Sequence, residues 1–204
     1  MRNLFAFDLK FDRNTVTIVI MSTLILMVEN YHSFTGIPEV DQFILYLFAP
    51  LAIIWFVFRE KPREYGFQLG DWKAGLALTG LVILVAAPIL WLVASNSASM
   101  QQYYSRKLDS ILLVRGFFYL FGWEFLFRGW MLFGYSRSLG AHAVWLQAVP
   151  FALAHIGKPE IETMSTIFGG FLFGLVAWRT RSFLYPFLIH WFIFTFTIIV
   201  AGNI

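Results

Sequence analysis

The sequence predicts an all-α, polytopic transmembrane helix bundle of about seven spans, and three observations carry that expectation. Hydrophobic residues fill 59% of the 204 positions and charged residues only 13%, about half of the roughly 25% with which a soluble domain solvates its surface. The apolar residues fall in runs close to the roughly 20 residues that cross a bilayer core. Aromatic residues reach 20%, with 24 Phe and 8 Trp, rings that fill wide helix contacts and populate headgroup belts.

Taken in order, the first run, Thr15 to about Tyr31, follows a polar head carrying Arg2, Lys10 and Arg13. It is longer than a signal-peptide core and no small-residue cleavage site follows it, so it reads as a retained span. Further runs lie at about 42–58, 74–95, 110–135, 141–156, 164–178 and 183–202. Arg59 to Trp72 is the only candidate linker, and no repeat, heptad seam or low-complexity tract divides the chain, so residues 1–204 read as one membrane-embedded domain. Gly169, Gly170 and Gly174 give the sixth run a small-residue face for close packing on a neighbour.

With the N-terminus inside, Arg2, Lys10, Arg13, Arg59, Lys61, Arg63, Lys73, Arg137, Arg179 and Arg181 face the cytoplasm, against Arg106, Lys107 and Lys158 outside. That bias is the positive-inside signature. The net charge of +3 therefore reflects topology rather than a nucleic-acid partner, and no aromatic and basic interleaving on a soluble module argues for one. Cysteine is absent, which excludes disulfides, thiolate catalysis and cysteine-ligated metals.

An ionisable side chain inside a span costs at least about 2.5 kcal/mol on insertion scales, so each needs a partner or a purpose. Five stand out: Glu124 and Arg128 in the fourth run, His155 at the end of the fifth, Glu162 just before the sixth and His190 within the seventh. Glu124 and Arg128 are four apart, on one helix face, and are expected to pair. Counted along the spans at about 1.5 Å per residue, Glu124 lies roughly 18 Å from the cytoplasmic side and His155 roughly 21 Å, while Arg128 and His190 lie at roughly 12 Å. Glu124 and His155 thus share a level and are expected to meet. Glu162 follows Gly157 and Pro159, and a re-entrant turn there would fold its carboxylate toward His155; the plainer reading is a solvated loop.

A carboxylate beside an imidazole in a low-dielectric bundle can deprotonate a water, and a second His can hold an oxyanion, which together suffice for peptide hydrolysis. The same three groups, His155, His190 and Glu124, match a catalytic zinc site with an open fourth position. No His-Glu-x-x-His signature is present, and the residues leave both readings open.

The segments Trp123-Glu124-Phe125-Leu126-Phe127-Arg128, Phe151-Ala152-Leu153-Ala154-His155 and His190 resemble the CPBP family of intramembrane peptidases, which contains CAAX prenyl proteases and bacteriocin-processing and self-immunity proteins. The resemblance covers about residues 110–200. By position, Glu124 matches the second Glu of the family's Glu-Glu-x-x-x-Arg motif and Arg128 its Arg; Phe151 and His155 form Phe-x-x-x-His, and His190 opens His-x-x-x-Asn or Asp. Trp123 stands where the family has its first Glu, the presumed base, and Phe194 where it has Asn or Asp. The resemblance implies an intramembrane endopeptidase in which Glu124 or Glu162 with His155 activates water, His190 holds the oxyanion and Arg128 fixes Glu124, with zinc as an alternative to a glutamate-activated water. It also implies a peptide or membrane-protein substrate, contact with lipid and a multi-pass place in a bacterial plasma membrane. The two departures favour the competing reading, a catalytically silent scaffold or immunity-type binding protein. A proton-coupled carrier is a third reading that no inverted repeat supports.

Overall fold

The computed structural model of the protein describes residues 9–203; Arg2, counted above in the basic head, lies outside them. Helix α1 (Arg13–Tyr31) starts where the Asp12 carboxylate accepts the Thr15 amide at 2.7 Å, satisfying one of the orphan donors of the first turn. A turn organised on Asp41, which accepts from Ser33, Phe34 and Thr35, reverses the chain into α2 (Pro38–Phe58). Two stretches of α2, Ile44–Phe48 and Ile53–Phe58, are π-helical, and it closes on Arg59 in the left-handed region.

The loop that follows folds onto the far end of the chain. The Asp71 amide donates to the Thr180 carbonyl at 2.9 Å and the Phe183 amide to the Gly66 carbonyl at 3.3 Å. Asp71 then caps α3 (Trp72–Asn96), accepting from Arg179 at 2.7 Å and from the Ala74 amide at 3.2 Å. These bonds, the one from Arg179 foremost, hold the Asp71 carboxyl below its usual range. Its contribution is therefore complete above the unfolded-state pKa and is lost as pH falls through the folded one. Gly70 permits this join: its φ is +55°, and a Cβ there would run into the Thr180 carbonyl oxygen. Gly70→Ala is expected to destabilise the protein by about 1–2 kcal/mol through left-handed strain alone, with the clash adding to it; a thermal melt in detergent checks this.

Helix α4 (Ala98–Tyr104) is bent by 104° against the next long helix. That helix is α5 (Leu112–Glu124), a π-helical segment Phe125–Met131, and α6 (Leu132–Leu139). After a 3-10 turn come two short helices, α7 (Ala143–Leu146) and α8 (Ala148–Leu153), then α9 (Glu160–Thr180) and α10 (Leu184–Gly202). Every element among the described residues is helical, so the chain is an all-α membrane bundle.

The span count differs from seven. Five helices are long and apolar enough to cross a membrane, or up to six if the bent pair is taken as one span. The fifth apolar run is what changes: α7 and α8 together extend only about 16 Å at 1.5 Å per residue, half a bilayer core. Arg115, Glu124 and Arg128 also lower the hydropathy of the helix that carries the charge pair.

Helix α10 is the central element. Half of its apolar window is buried, against 6% for α3, which turns Leu76, Leu84 and Leu92 outward to lipid. Gly170 and Gly174 let α9 settle on the short helices: a Cβ at Gly170 would lie 3.0 Å from the Ala148 Cβ, and one at Gly174 3.1 Å from Val144. Gly169, expected on the same contact face, borders a cavity instead. At one end of the bundle Thr15 meets Ser138 at 2.6 Å and Arg137 meets Glu60 at 2.6 Å. At the other, Tyr104 donates to Glu162 at 2.5 Å.

Candidate active site

Two opposite charges on one membrane helix lower their joint cost by pairing, and here they do so in full enclosure. Arg128 Nη1 lies 2.9 Å from Glu124 Oε1, with both side chains at 0% exposure. Glu124 ends α5, and Arg128 sits in the π-helical segment that continues it. That wider coil is accommodated at Gly129, where a Cβ would stand 2.6 Å from the Phe125 ring; such segments concentrate at functional sites. The guanidinium lies between two aromatic rings, 3.9 Å from the Phe151 centroid and 5.0 Å from that of Phe173. Both rings offer it their electron-rich faces. Its Nη2 donates to the Gly170 carbonyl at 3.4 Å, an acceptor shared with Gln147 Nε2 at 2.8 Å.

The imidazole that meets Glu124 belongs to His190. His190 Nδ1 stands 2.7 Å from Glu124 Oε1, so α5 and α10 are joined at the centre of the bundle. The level count had put His155 there. Counting from span ends takes no account of helix tilt, of the π-helical offset or of the shortness of α7 and α8, and those shift the levels. His155 follows α8 in a turn, its Nδ1 2.7 Å from the Phe151 carbonyl and its own carbonyl accepting from Thr163 at 2.9 Å. The two imidazoles are near-parallel, with centroids 6.3 Å apart and planes at 25°.

Acceptor chemistry sets the tautomers. A main-chain carbonyl only accepts, so His155 Nδ1 carries the proton; an ionised carboxylate likewise takes the Nδ1 proton of His190. In the neutral rings both Nε2 atoms keep their lone pairs. His155 and His190 border a cavity of about 370 Å³. Ile89, Leu90 and Val93 of α3 give it an apolar wall, while Tyr104, Lys158 and Glu162 form a polar group on its lining.

Glu162 therefore shares a cavity with His155, but its carboxylate is engaged elsewhere, by Tyr104 at 2.5 Å and Lys158 at 2.9 Å. Trp123 packs its ring perpendicular to His155 at 5.4 Å and donates to Gln42 at 3.3 Å. Gln42 and Tyr46 in turn contact Glu29 of α1. Phe194 lines the cavity beside His190. Of the alternative metal set, Glu124 Oε1 is shared by Arg128 and His190, and no group of three or more His, Cys, Asp or Glu able to hold a metal ion occurs among the described residues.

Gln147, Phe173 and Tyr104 escaped the sequence reading. Gln147 is the only one with a local signal, an amide within an otherwise apolar run. Phe173 is one Phe among 24, and Tyr104 reaches the site only through the bend after α4.

Residues 107–196 match the family model described as type II CAAX prenyl endopeptidase, Rce1-like. The matched stretch contains Glu124, Arg128, His155, Glu162 and His190 and leaves out α1 to α4. No curated protein and no solved structure matches the chain.

Proposed function

We propose, from the match of residues 107–196 to the Rce1-like model of type II CAAX prenyl endopeptidases, a protease family, that this multi-pass membrane protein hydrolyses a peptide bond inside the bundle with a water activated by a carboxylate-backed histidine. The observation that carries the reading is the 2.7 Å contact between His190 Nδ1 and Glu124 Oε1. A carboxylate on Nδ1 orients the ring and stabilises the imidazolium that forms when Nε2 takes a proton.

In this reading a water in the cavity donates its two O–H bonds to the Nε2 atoms of His155 and His190, leaving an oxygen lone pair for the scissile carbonyl. His190 accepts a proton as the C–O bond forms. It returns that proton to the amide nitrogen as the C–N bond breaks, so one residue serves as base and then acid. Glu124 keeps accepting from Arg128 and His190 throughout. This assigns His190 the base role rather than the oxyanion role implied by the resemblance, because the carboxylate backs His190 and not His155. The apolar wall from α3 suits a membrane-embedded segment of peptide or protein substrate. The basic residues Arg13, Arg59, Lys61, Arg63, Lys73, Arg137, Arg179 and Arg181 support a cytoplasmic N-terminus.

The binding-protein reading rests on Trp123, whose ring fills the space beside His155 at the motif position of the first Glu. The two are separated by comparing new peptide termini in membranes that hold the wild-type chain or His155→Ala at equal abundance. Termini that vanish in the variant are expected and would identify the substrate. The same termini in both, with both proteins folded, would leave the binding reading in possession.

A further inference from the structure

We propose that a pocket at the basic end of the bundle, remote from the histidines, binds a phosphate ester of the kind an anionic lipid headgroup presents. The pocket has a volume of about 280 Å³ and is lined by Arg63, Glu64, Gly66, Gln68, Phe133 and Arg181. It lies between the loop that precedes α3 and the join of α9 to α10.

Arg181 is the first reason. It terminates α9 with φ 59° and ψ 31°, a position that glycine fills without steric cost. An arginine held there keeps its side chain at the expense of backbone comfort, the pattern found where a site needs the group. Its guanidinium stands 5.3 Å from the Phe133 ring, and its carbonyl accepts from Gln68 at 3.0 Å, so both the backbone and the head are fixed.

Charge is the second reason. The carboxylates of this end are taken by other cations: Glu60 and Glu64 by Arg137 at 2.6 and 3.4 Å, and Asp71 by Arg179 at 2.7 Å. Arg63 and Arg181 have no carboxylate partner among the described residues, and Glu64 on the wall is already engaged. Two free guanidinium forks in one concavity match the several oxygens of a phosphate. Topology alone asks for positive charge at a membrane face and not for a pocket to hold it. The pocket opens at the helix ends, the level of the headgroups, where basic clefts between helices take anionic lipids.

The test is thermal unfolding of the purified full-length protein in a neutral detergent, followed by tryptophan fluorescence. Dioleoylphosphatidylglycerol, dioleoylphosphatidylcholine or inorganic phosphate is added in separate titrations. Saturable stabilisation by phosphatidylglycerol and none by phosphatidylcholine is expected, because a ligand that binds only the folded state raises its midpoint. Arg181→Gly should remove the response while leaving the unliganded midpoint unchanged or raised, since glycine relieves the left-handed backbone; that outcome cannot be mistaken for misfolding. Arg63→Gln should weaken the response and Lys73→Gln, outside the pocket, should retain it. If inorganic phosphate alone reproduces the effect with the same arginine dependence, the site stands and its ligand is a soluble phosphate. Equal effects of the two lipids would overturn the pocket in favour of a non-specific lipid effect, and a Lys73→Gln loss as large as that of Arg181→Gly would overturn it in favour of diffuse surface charge. The outcome is independent of the hydrolytic reading.

Discussion

Arg128→Ala is expected to destabilise the protein by about 3–5 kcal/mol, the range for a buried ion pair broken from one side. The loss comes less from the missing attraction than from what remains. Glu124 is at 0% exposure with its Oε2 already without a protein partner, and removal of the guanidinium leaves its charge backed by His190 alone. The variant also empties the space between Phe151 and Phe173, adding a cavity term. Denaturant unfolding in detergent micelles would measure the effect. The double variant Glu124→Gln, Arg128→Met should recover much of the loss, because uncharged groups of similar volume carry a far smaller desolvation penalty than a lone buried charge. If Arg128→Ala alone were as stable as the wild type, the buried pair would not be a net contributor to the stability of the fold.

The same double variant should fold and yet be inactive, which leads to the second large effect. Glu124→Gln is expected to lower peptide hydrolysis by about 10⁴-fold, as when a histidine loses its orienting carboxylate to an amide. Arg128 Nη1 can only donate, so the amide oxygen takes the place of Glu124 Oε1 and still accepts from His190 Nδ1, but without the negative charge that stabilises the imidazolium. The base would then keep its free Nε2 but take up a proton at a higher cost. His190→Ala should fall as far, and combining it with Glu124→Gln should cost little more, since the two act as one unit. Rates on the substrate identified from its new termini are the measurement. Glu162→Gln, by contrast, should leave the chemical step nearly intact, because its carboxylate is bound to Tyr104 and Lys158. A Glu162→Gln loss as deep as that of Glu124→Gln would return the base role to Glu162.

Much of the site was legible because membrane insertion makes charge conspicuous. Glu124, Arg128 and His190 stand out against apolar neighbours, and the i to i+4 spacing of the first two is enough to pair them on a helix. The identity of the carboxylate's second partner was not legible. His155 and His190 lie in segments of similar polarity, and a level count accurate to one or two turns could not choose between imidazoles that end up 6.3 Å apart. The polar group at Tyr104, Lys158 and Glu162 was half visible: Gly157 and Pro159 marked a break, but the phenol that binds Glu162 comes from another helix, 58 positions earlier. The Arg63 and Arg181 pocket left no local trace, since each arginine alone reads as a topology signal.

What the sequence by itself determined was the medium and the inventory: 59% hydrophobic residues and 13% charged commit the chain to lipid and to helices, because unpaired backbone groups cannot be tolerated there. It also set which few ionisable groups must be buried and paired. The tertiary structure alone decided how they pair. A hydrogen bond is resolved to tenths of an ångström, whereas helix tilt, the π-helical segment after Glu124 and the half-length α7 and α8 move side chains by whole turns. These arise from packing against helices distant in the sequence, so no local pattern encodes them.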